Sequence, residues 1–244
     1  MLVQAALFFE APEQIYERIF RSLRPGSPLP TIEVRFRPYA NANSRIRLAE
    51  GHLLVEISDL LENAPSPVQE ALAHILVAKL IRRQPDRNQV ALYRRYLNRA
   101  DVRSGLHRAR QERGRKLLRA AKGHHFDLSL LFDELNLAHF EGLMPRPQLG
   151  WSVRASRTAL GHYDPSHNTI VVSSALDALD APPVAVRFVL FHEMLHMRHP
   201  TQYRPTRRCV HTPEFKRAER GFPQYKQAKA ELKRFIEEAA QKSG

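Results

Sequence analysis

Residues 192–196 read His192-Glu193-Met194-Leu195-His196, directly after the apolar run Val186-Arg187-Phe188-Val189-Leu190-Phe191. On an α-helix, residues four apart lie one turn above each other on the same face. The spacing therefore predicts a helix on which His192 and His196 offer two imidazole nitrogens to one metal ion. Glu193, one step round the helix, reaches a water held by that metal. A lone histidine here would read as a core residue. The full spacing, the hydrophobic run before it and a later histidine read instead as a hydrolytic metal site.

A catalytic zinc usually takes three protein ligands and leaves a fourth position for water. A metzincin would continue with Gly at 199 and His at 202, but those positions hold His199 and Gln202. The favoured third ligand is His211, in Cys209-Val210-His211-Thr212-Pro213-Glu214-Phe215-Lys216. Pro213 suits the first turn of a new helix and Thr212 its N-cap, so His211 would sit at a helix entrance with its backbone fixed. Glu214 and Glu219 are gluzincin-style alternatives, and His199 and Cys209 are more distant ones. With three imidazoles bound, Zn²⁺ lowers the pKa of its water from 15.7 to about 7. Glu193 would act as general base and then pass the proton to a leaving amine.

Around these motifs the chain resembles the SprT-like zinc metallopeptidase family, from Phe126 to Tyr225. The resemblance rests on Leu131-Phe132-Asp133-Glu134-Leu135-Asn136, Phe140-Glu141-Gly142-Leu143-Met144-Pro145, a strand near Leu149-Gly150-Trp151-Ser152, the pentapeptide, and His211-Thr212-Pro213-Glu214-Phe215-Lys216. The last stretch is similar to the family's His-Gly-x-x-Phe-Lys element, with Thr212 in place of Gly. The family takes its third zinc histidine from this element, so the resemblance independently implies His211. It implies a proteolytic zincin, some of whose relatives cleave proteins crosslinked to DNA. It covers about the C-terminal half and is silent on residues 1–120.

Composition limits the remaining possibilities. The chain has 244 residues, enough for one good core or two small ones. It lacks an apolar run of about 18 residues, so a membrane-spanning helix is not expected. The stretch Met1-Leu2-Val3-Gln4-Ala5-Ala6-Leu7-Phe8-Phe9 is apolar but has no basic region before it, against a signal peptide. A single cysteine rules out an internal disulfide framework and fits a reducing cytoplasm. The net charge of +13 favours phosphate contacts. It is densest from Val102 to Lys122, where Arg103, Arg108, Arg110, Arg113, Arg115, Lys116, Arg119 and Lys122 face one acid, Glu112. Zinc-finger spacing and a helix-turn-helix signature are both missing, which leaves a solvated connector or, at most, non-specific nucleic-acid contact through phosphates.

Periodicity predicts an α+β fold with the motif helix packed on a small mixed sheet, which the resemblance implies is a zincin-like catalytic domain. Before it stands either a degenerate α+β repeat or a second small α+β unit that shares only a generic hydrophobic pattern. In the C-terminal half periodicity gives a helix over Leu128–Phe140, a strand over Gln148–Ser152, and a turn over His162–Asn168. A strand over Thr169–Ser173, the motif helix from Pro182-Pro183, and a helix over Gln224–Gln241 carrying Leu232, Phe235, Ile236 and Ala239 on its buried face complete it. By the resemblance, Thr169–Ser173 would line the cleft and pair with an extended substrate. His162 and Tyr163 are read as hairpin residues, outside the catalytic set.

The N-terminal half repeats the order, with a helix over Ile15–Leu23, strands over Ile32–Arg37, Arg45–Leu48 and His52–Ile57, and an apolar helix from Pro67 to Leu80. Aligning Pro67-Val68 with Pro183-Val184, 116 residues on, sets Val55 on Val171 and puts the ligand positions on Leu76, Val77 and Leu80, none of which binds zinc. The expected division is 1–100 as an N-terminal α+β domain, 101–125 as a basic linker or helix, and 126–244 as the catalytic domain. The expected activity is cytoplasmic zinc-dependent hydrolysis of protein or peptide substrates. The alternative is a nucleic-acid-associated protein with a mainly structural zinc.

Overall fold

The computed structural model of the chain describes residues 10–114 and 117–241, the side chains of 239–241 excepted. The expectations for Met1–Phe9, Arg115, Lys116 and the Ala239 side chain lie outside the described residues. The chain forms two compact units, Met1–Gly114 with Tyr203–Arg208, and Arg115–Gln202 with Cys209–Gly244.

The first unit opens with α1 (Pro12–Leu23), whose Ile15, Tyr16 and Phe20 recur at helical spacing and are buried. Three strands follow, β1 (Thr31–Arg37), β2 (Ser44–Ala49) and β3 (His52–Ser58), in the order β1-β3-β2. β1 is parallel to β3 and β2 antiparallel to it. The β2–β3 connection is a two-residue hairpin with positive φ at both Glu50 and Gly51, the backbone that matches the twist of the flanking strands. α2 (Ser66–Leu80) packs its apolar side chains on the sheet's Leu53, Val55 and Ile57. α3 (Arg87–Leu97) is capped by Asp86, which accepts from the backbone N–H of Asn88 and Gln89. α4 (Ala100–Arg113) makes the first part of the basic segment helical. Residues 203–208 join this unit: the Asn98 amide donates to the Arg204 carbonyl, and the Arg103 guanidinium lies 3.9 Å over the Tyr203 ring.

The second unit is also α+β. It consists of β4 (Leu118–Arg119), α5 (Leu128–Phe140), β5 (Gln148–Ser152), β6 (Gly161–Asp164), β7 (Thr169–Val172), α6 (Pro183–Arg198), α7 (Pro213–Arg220) and α8 (Tyr225–Gln241). Between α6 and α7, β8 (Gln202–Tyr203) and β9 (Arg208–Cys209) form a short ribbon. (α6 to α8 keep their chain order on either side of it.) The sheet order is β4-β5-β7-β6, with β5 parallel and β6 antiparallel to β7. Its core gathers Trp151, Ile170 and Val172 from the sheet with Phe132, Leu135, Leu190 and Met194 from α5 and α6. The buried Trp151 indole donates to the Ala121 carbonyl, so burial leaves no polar atom orphaned there.

The helix over Leu128–Phe140 and the strand over Gln148–Ser152 have the predicted bounds. Two expectations change. His162, Tyr163 and Asp164 are strand residues of β6, and the turn is confined to 165–168. β7 lies between β5 and β6, so its backbone groups are already paired on both sides. It has none to offer a substrate, and the edges of the sheet are β4 and β6.

The two units share the order helix, three strands, buried helix, and the same strand pairing. Partners in the parallel pair lie 21 residues apart in both, as Ile32↔Leu53 and Leu149↔Ile170 show. The offset of 116 fails on side-chain direction. Val55 is fully buried beneath the helices of its unit, whereas Val171 is only half-buried and its neighbours Ile170 and Val172 fill the core. Side chains alternate along a strand, so a shift of one residue exchanges the two faces. An offset of 117, the separation of Ser66 and Pro183 that open α2 and α6, sets core on core: Val55 on Val172, Ala73 on Leu190, Val77 on Met194. His192, Glu193 and His196 then correspond to Ile75, Leu76 and Lys79.

Candidate metal centre

α6 is apolar on nearly every side and buried from Ala185 to Leu195, with Pro183 at its first turn. Such a helix is fixed by packing, and the pentapeptide rides on its last two turns. The chain then returns through β9 to α7. There the Thr212 side chain caps the helix by accepting from the Phe215 N–H at 3.2 Å. This cap and Pro213 hold the backbone immediately after His211.

One nitrogen from each of His192, His196 and His211 lies within 4.8 Å of the others. Among the described residues these three form the group able to hold a metal ion. His199, Cys209, Glu214 and Glu219 stay outside it. His199 ends α6, Glu214 is exposed on the first turn of α7, and the Cys209 thiol turns to the His211 carbonyl. Glu219 meets the trio from behind, its Oε1 lying 2.7 Å from Nδ1 of His192. That contact places a proton on Nδ1 and leaves Nε2 as the lone-pair nitrogen. The His192 hydrogen bond holds the Glu219 carboxyl below its ordinary range against the opposing effect of burial.

Phe215 is a residue whose part sequence reading missed. Its ring is fully buried and lies 5.0, 4.6 and 4.8 Å from those of His192, His196 and His211. One aromatic side chain thus supports all three imidazoles. Its signal in the sequence was its place as the Phe of the His-Gly-x-x-Phe-Lys element, four residues after His211.

The donor set suits zinc. Burial, then the neighbouring His192 and His211, pushes His196 down to about 4, and burial also lowers His211. Both rings are therefore neutral at pH 7, yet their Nε2 atoms approach to 3.3 Å. A proton on either Nε2 makes this a hydrogen bond between the rings, and a cation held by both lone pairs fits the same spacing. Zn–N bonds of about 2.0–2.1 Å at tetrahedral angles set nitrogens roughly 3.3–3.4 Å apart.

Glu193 is only 5 % exposed. Burial raises its carboxyl to about 7, against the opposing effects of His192 and of the Tyr163 N–H that it accepts. Tyr163 belongs to the edge strand β6, as does Gly161. A Cβ at Gly161 would meet Oε1 of Glu193 at 2.5 Å, so the carboxylate occupies space that only glycine leaves. Gly161→Ala is expected to displace the carboxylate and lower catalysis by about a hundredfold, the effect of an ångström-scale misplacement, with metal content unchanged. Parallel measurement of kcat and bound metal checks this, and unaltered kcat would show that the close approach is irrelevant.

The family model described as YgjP-like, metallopeptidase domain, matches residues 34–235, from β1 into α8. The match reaches well beyond the expected C-terminal half and takes in most of the first unit. No curated protein and no solved structure matches the chain.

Proposed function

The chain belongs to the YgjP-like metallopeptidase family, a SprT-like family, and from that premise we propose that it hydrolyses peptide bonds in protein substrates with zinc held by His192, His196 and His211 and Glu193 as general base. The observation that carries this reading is the convergence of three imidazole nitrogens beside a buried carboxyl raised to about 7.

A family peptidase implies a metal cofactor, and the three-imidazole donor set favours zinc over harder ions. When bound, zinc supplies Lewis acidity, polarising the scissile carbonyl and lowering the pKa of a water to about 7. Glu219 keeps the His192 ring turned inward. Glu193, with an affinity for protons near neutrality, accepts one from water and returns it to the leaving amine nitrogen. Its carboxylate is held for that exchange by the Tyr163 N–H. The outer edge of β6, apart from the Tyr163 N–H that Glu193 accepts, pairs with an extended substrate by strand addition.

The first unit reads, on the 117-residue offset, as a metal-free copy of the second, with Ile75, Leu76 and Lys79 at the ligand and base positions. Purified protein should accordingly hold about one zinc per chain rather than two. Complete chelation should stop cleavage of an unfolded protein substrate, and zinc should restore it. Full activity of the metal-free chain would overturn the mechanism.

Non-specific nucleic-acid contact is a separate and compatible proposal. On α4 it falls to the exposed Arg108 and Arg110, because Arg113 is paired with Asp59 and Arg103 lies over Tyr203. Among the described residues no helix is long and apolar enough to cross a membrane. The single cysteine supports a cytoplasmic location.

A further inference from the structure

Beside the candidate centre the second unit contains a cavity of about 460 Å³ that the chemistry described above does not use. We propose that it receives a large apolar side chain, of the leucine, methionine or phenylalanine kind, from a substrate strand paired on β6. This inference rests on the peptidase reading and names the substrate class that reading leaves open.

The cavity's position links it to the reaction. Tyr163 lines it and also donates its backbone N–H to Glu193. Met197, on the opposite wall, lies four residues beyond Glu193 on α6, about 6 Å along the helix axis. Gly161 and Tyr163 share the helix-facing side of β6, and Gly161 abuts the Glu193 carboxylate. Same-face side chains of an extended peptide also repeat at roughly 6.6–6.8 Å. A peptide laid along β6 with its reacting bond near Glu193 therefore directs a side chain about two residues away into the cavity.

The lining selects the chemistry. Phe140, Leu143, Met144 and Pro145 join Tyr163 and Met197 as the apolar part of a wall that Glu141, Asn168 and Arg198 complete, in a volume typical of ligand pockets, roughly 300–1,000 Å³. Two methionines give a surface that adapts to different apolar shapes, which favours a class of side chain over one residue. Leu143 is 78 % exposed on the rim, an apolar side chain without cover in the free protein. The wall is also built in advance. The buried Asn136 amide donates to the Met144 carbonyl at 3.2 Å and accepts from the Met144 N–H at 3.1 Å, fixing the turn after α5. Its backbone is left-handed at Glu141 and Gly142.

The test uses the full zinc-loaded chain and a set of labelled octapeptides in which each position in turn is Ala, Leu, Phe or Asp. Hydrolysis by the wild type gives kcat/KM, and fluorescence anisotropy with Glu193→Gln gives affinity without turnover. The expected result is one position at which Leu or Phe exceeds Ala by about tenfold or more, the usual value of added methylenes in an apolar pocket, and Asp is rejected. Leu143→Asp, a surface change that thermal melting will check for folding, should reduce that ratio in both assays. Equal use of Ala and Leu at every position, or a ratio that survives Leu143→Asp, would overturn the proposal. If the zinc-loaded wild type cleaves none of the peptides, the peptidase reading fails; the anisotropy arm still decides the pocket, and loss of apolar preference there overturns it too.

Discussion

Replacing Glu193 by Gln is expected to lower peptide hydrolysis by about 10²–10⁴-fold and to leave the bound metal in place. The amide has nearly the shape of the carboxyl, so it fits the same buried space against Gly161. Its oxygen can still accept the Tyr163 N–H. What it lacks is a site for the proton that must leave water and reach the amine. The three histidines are untouched, and so is the Glu219 contact that orients His192. Stability should not fall. Burial disfavours the Glu193 anion, raising the group from an ordinary 4.5 to about 7. The folded chain therefore loses stability as pH rises through that interval, and a neutral amide removes the loss. Metal content, melting temperature and turnover measured on one preparation check all three statements. The alternative of a structural zinc in a nucleic-acid-associated protein differs on turnover alone: such a site needs no base, so no zinc-dependent hydrolysis would be present for the substitution to remove.

The parts of this protein legible in its sequence were those that local chemistry specifies. Pro183 at a first turn, the apolar run behind it and the i, i+4 histidines define α6 without reference to any other element. Thr212 and Pro213 did the same for the start of α7, which is why His211 could be placed beside the pentapeptide across a fifteen-residue gap. Short or shallowly packed elements were missed. α3 buries no residue completely, its Tyr93, Tyr96 and Leu97 being only partly buried against the core, and β4, β8 and β9 have two residues each, too few to show alternation.

Long-range arrangement was not legible either. Thr169 to Val172 is an apolar strand in any reading, but its central place in the sheet follows from β5 and β6 pairing with it on opposite sides. That pairing transfers the free edge to β6. The same limit explains the offset of 116. Proline matched proline in the sequence, while the structure is set by which side of each strand meets a helix. Gly161 and Glu219 belong here too, since each acts on a residue 27 or more positions away and neither stands in a recognisable spacing with it.

Removing the third imidazole should be more damaging than removing the base. His211→Ala is expected to abolish hydrolysis and to weaken zinc binding by more than about 10–100-fold, the range for losing an outer-sphere partner of a metal ligand, because here a ligand itself is lost. His211 is exposed, so its truncation opens no core cavity, and the metal-free variant should melt with the metal-free wild type. Phe215 remains buried beneath His192 and His196, and the Thr212 cap persists, so the two-histidine remnant keeps its geometry. Zinc competition against a chromogenic chelator then measures the ligand rather than the fold. Retained wild-type affinity would move the third ligand to Glu214, Glu219 or Cys209. Of these, Glu219 already has its Oε1 on Nδ1 of His192, and ligation would require that hydrogen bond to break. Glu219→Ala separates the roles: a carboxylate that only orients His192 should cost a smaller loss of affinity than His211→Ala, whereas a ligand in the place of His211 would make Glu219→Ala the damaging change and leave His211→Ala near the wild type.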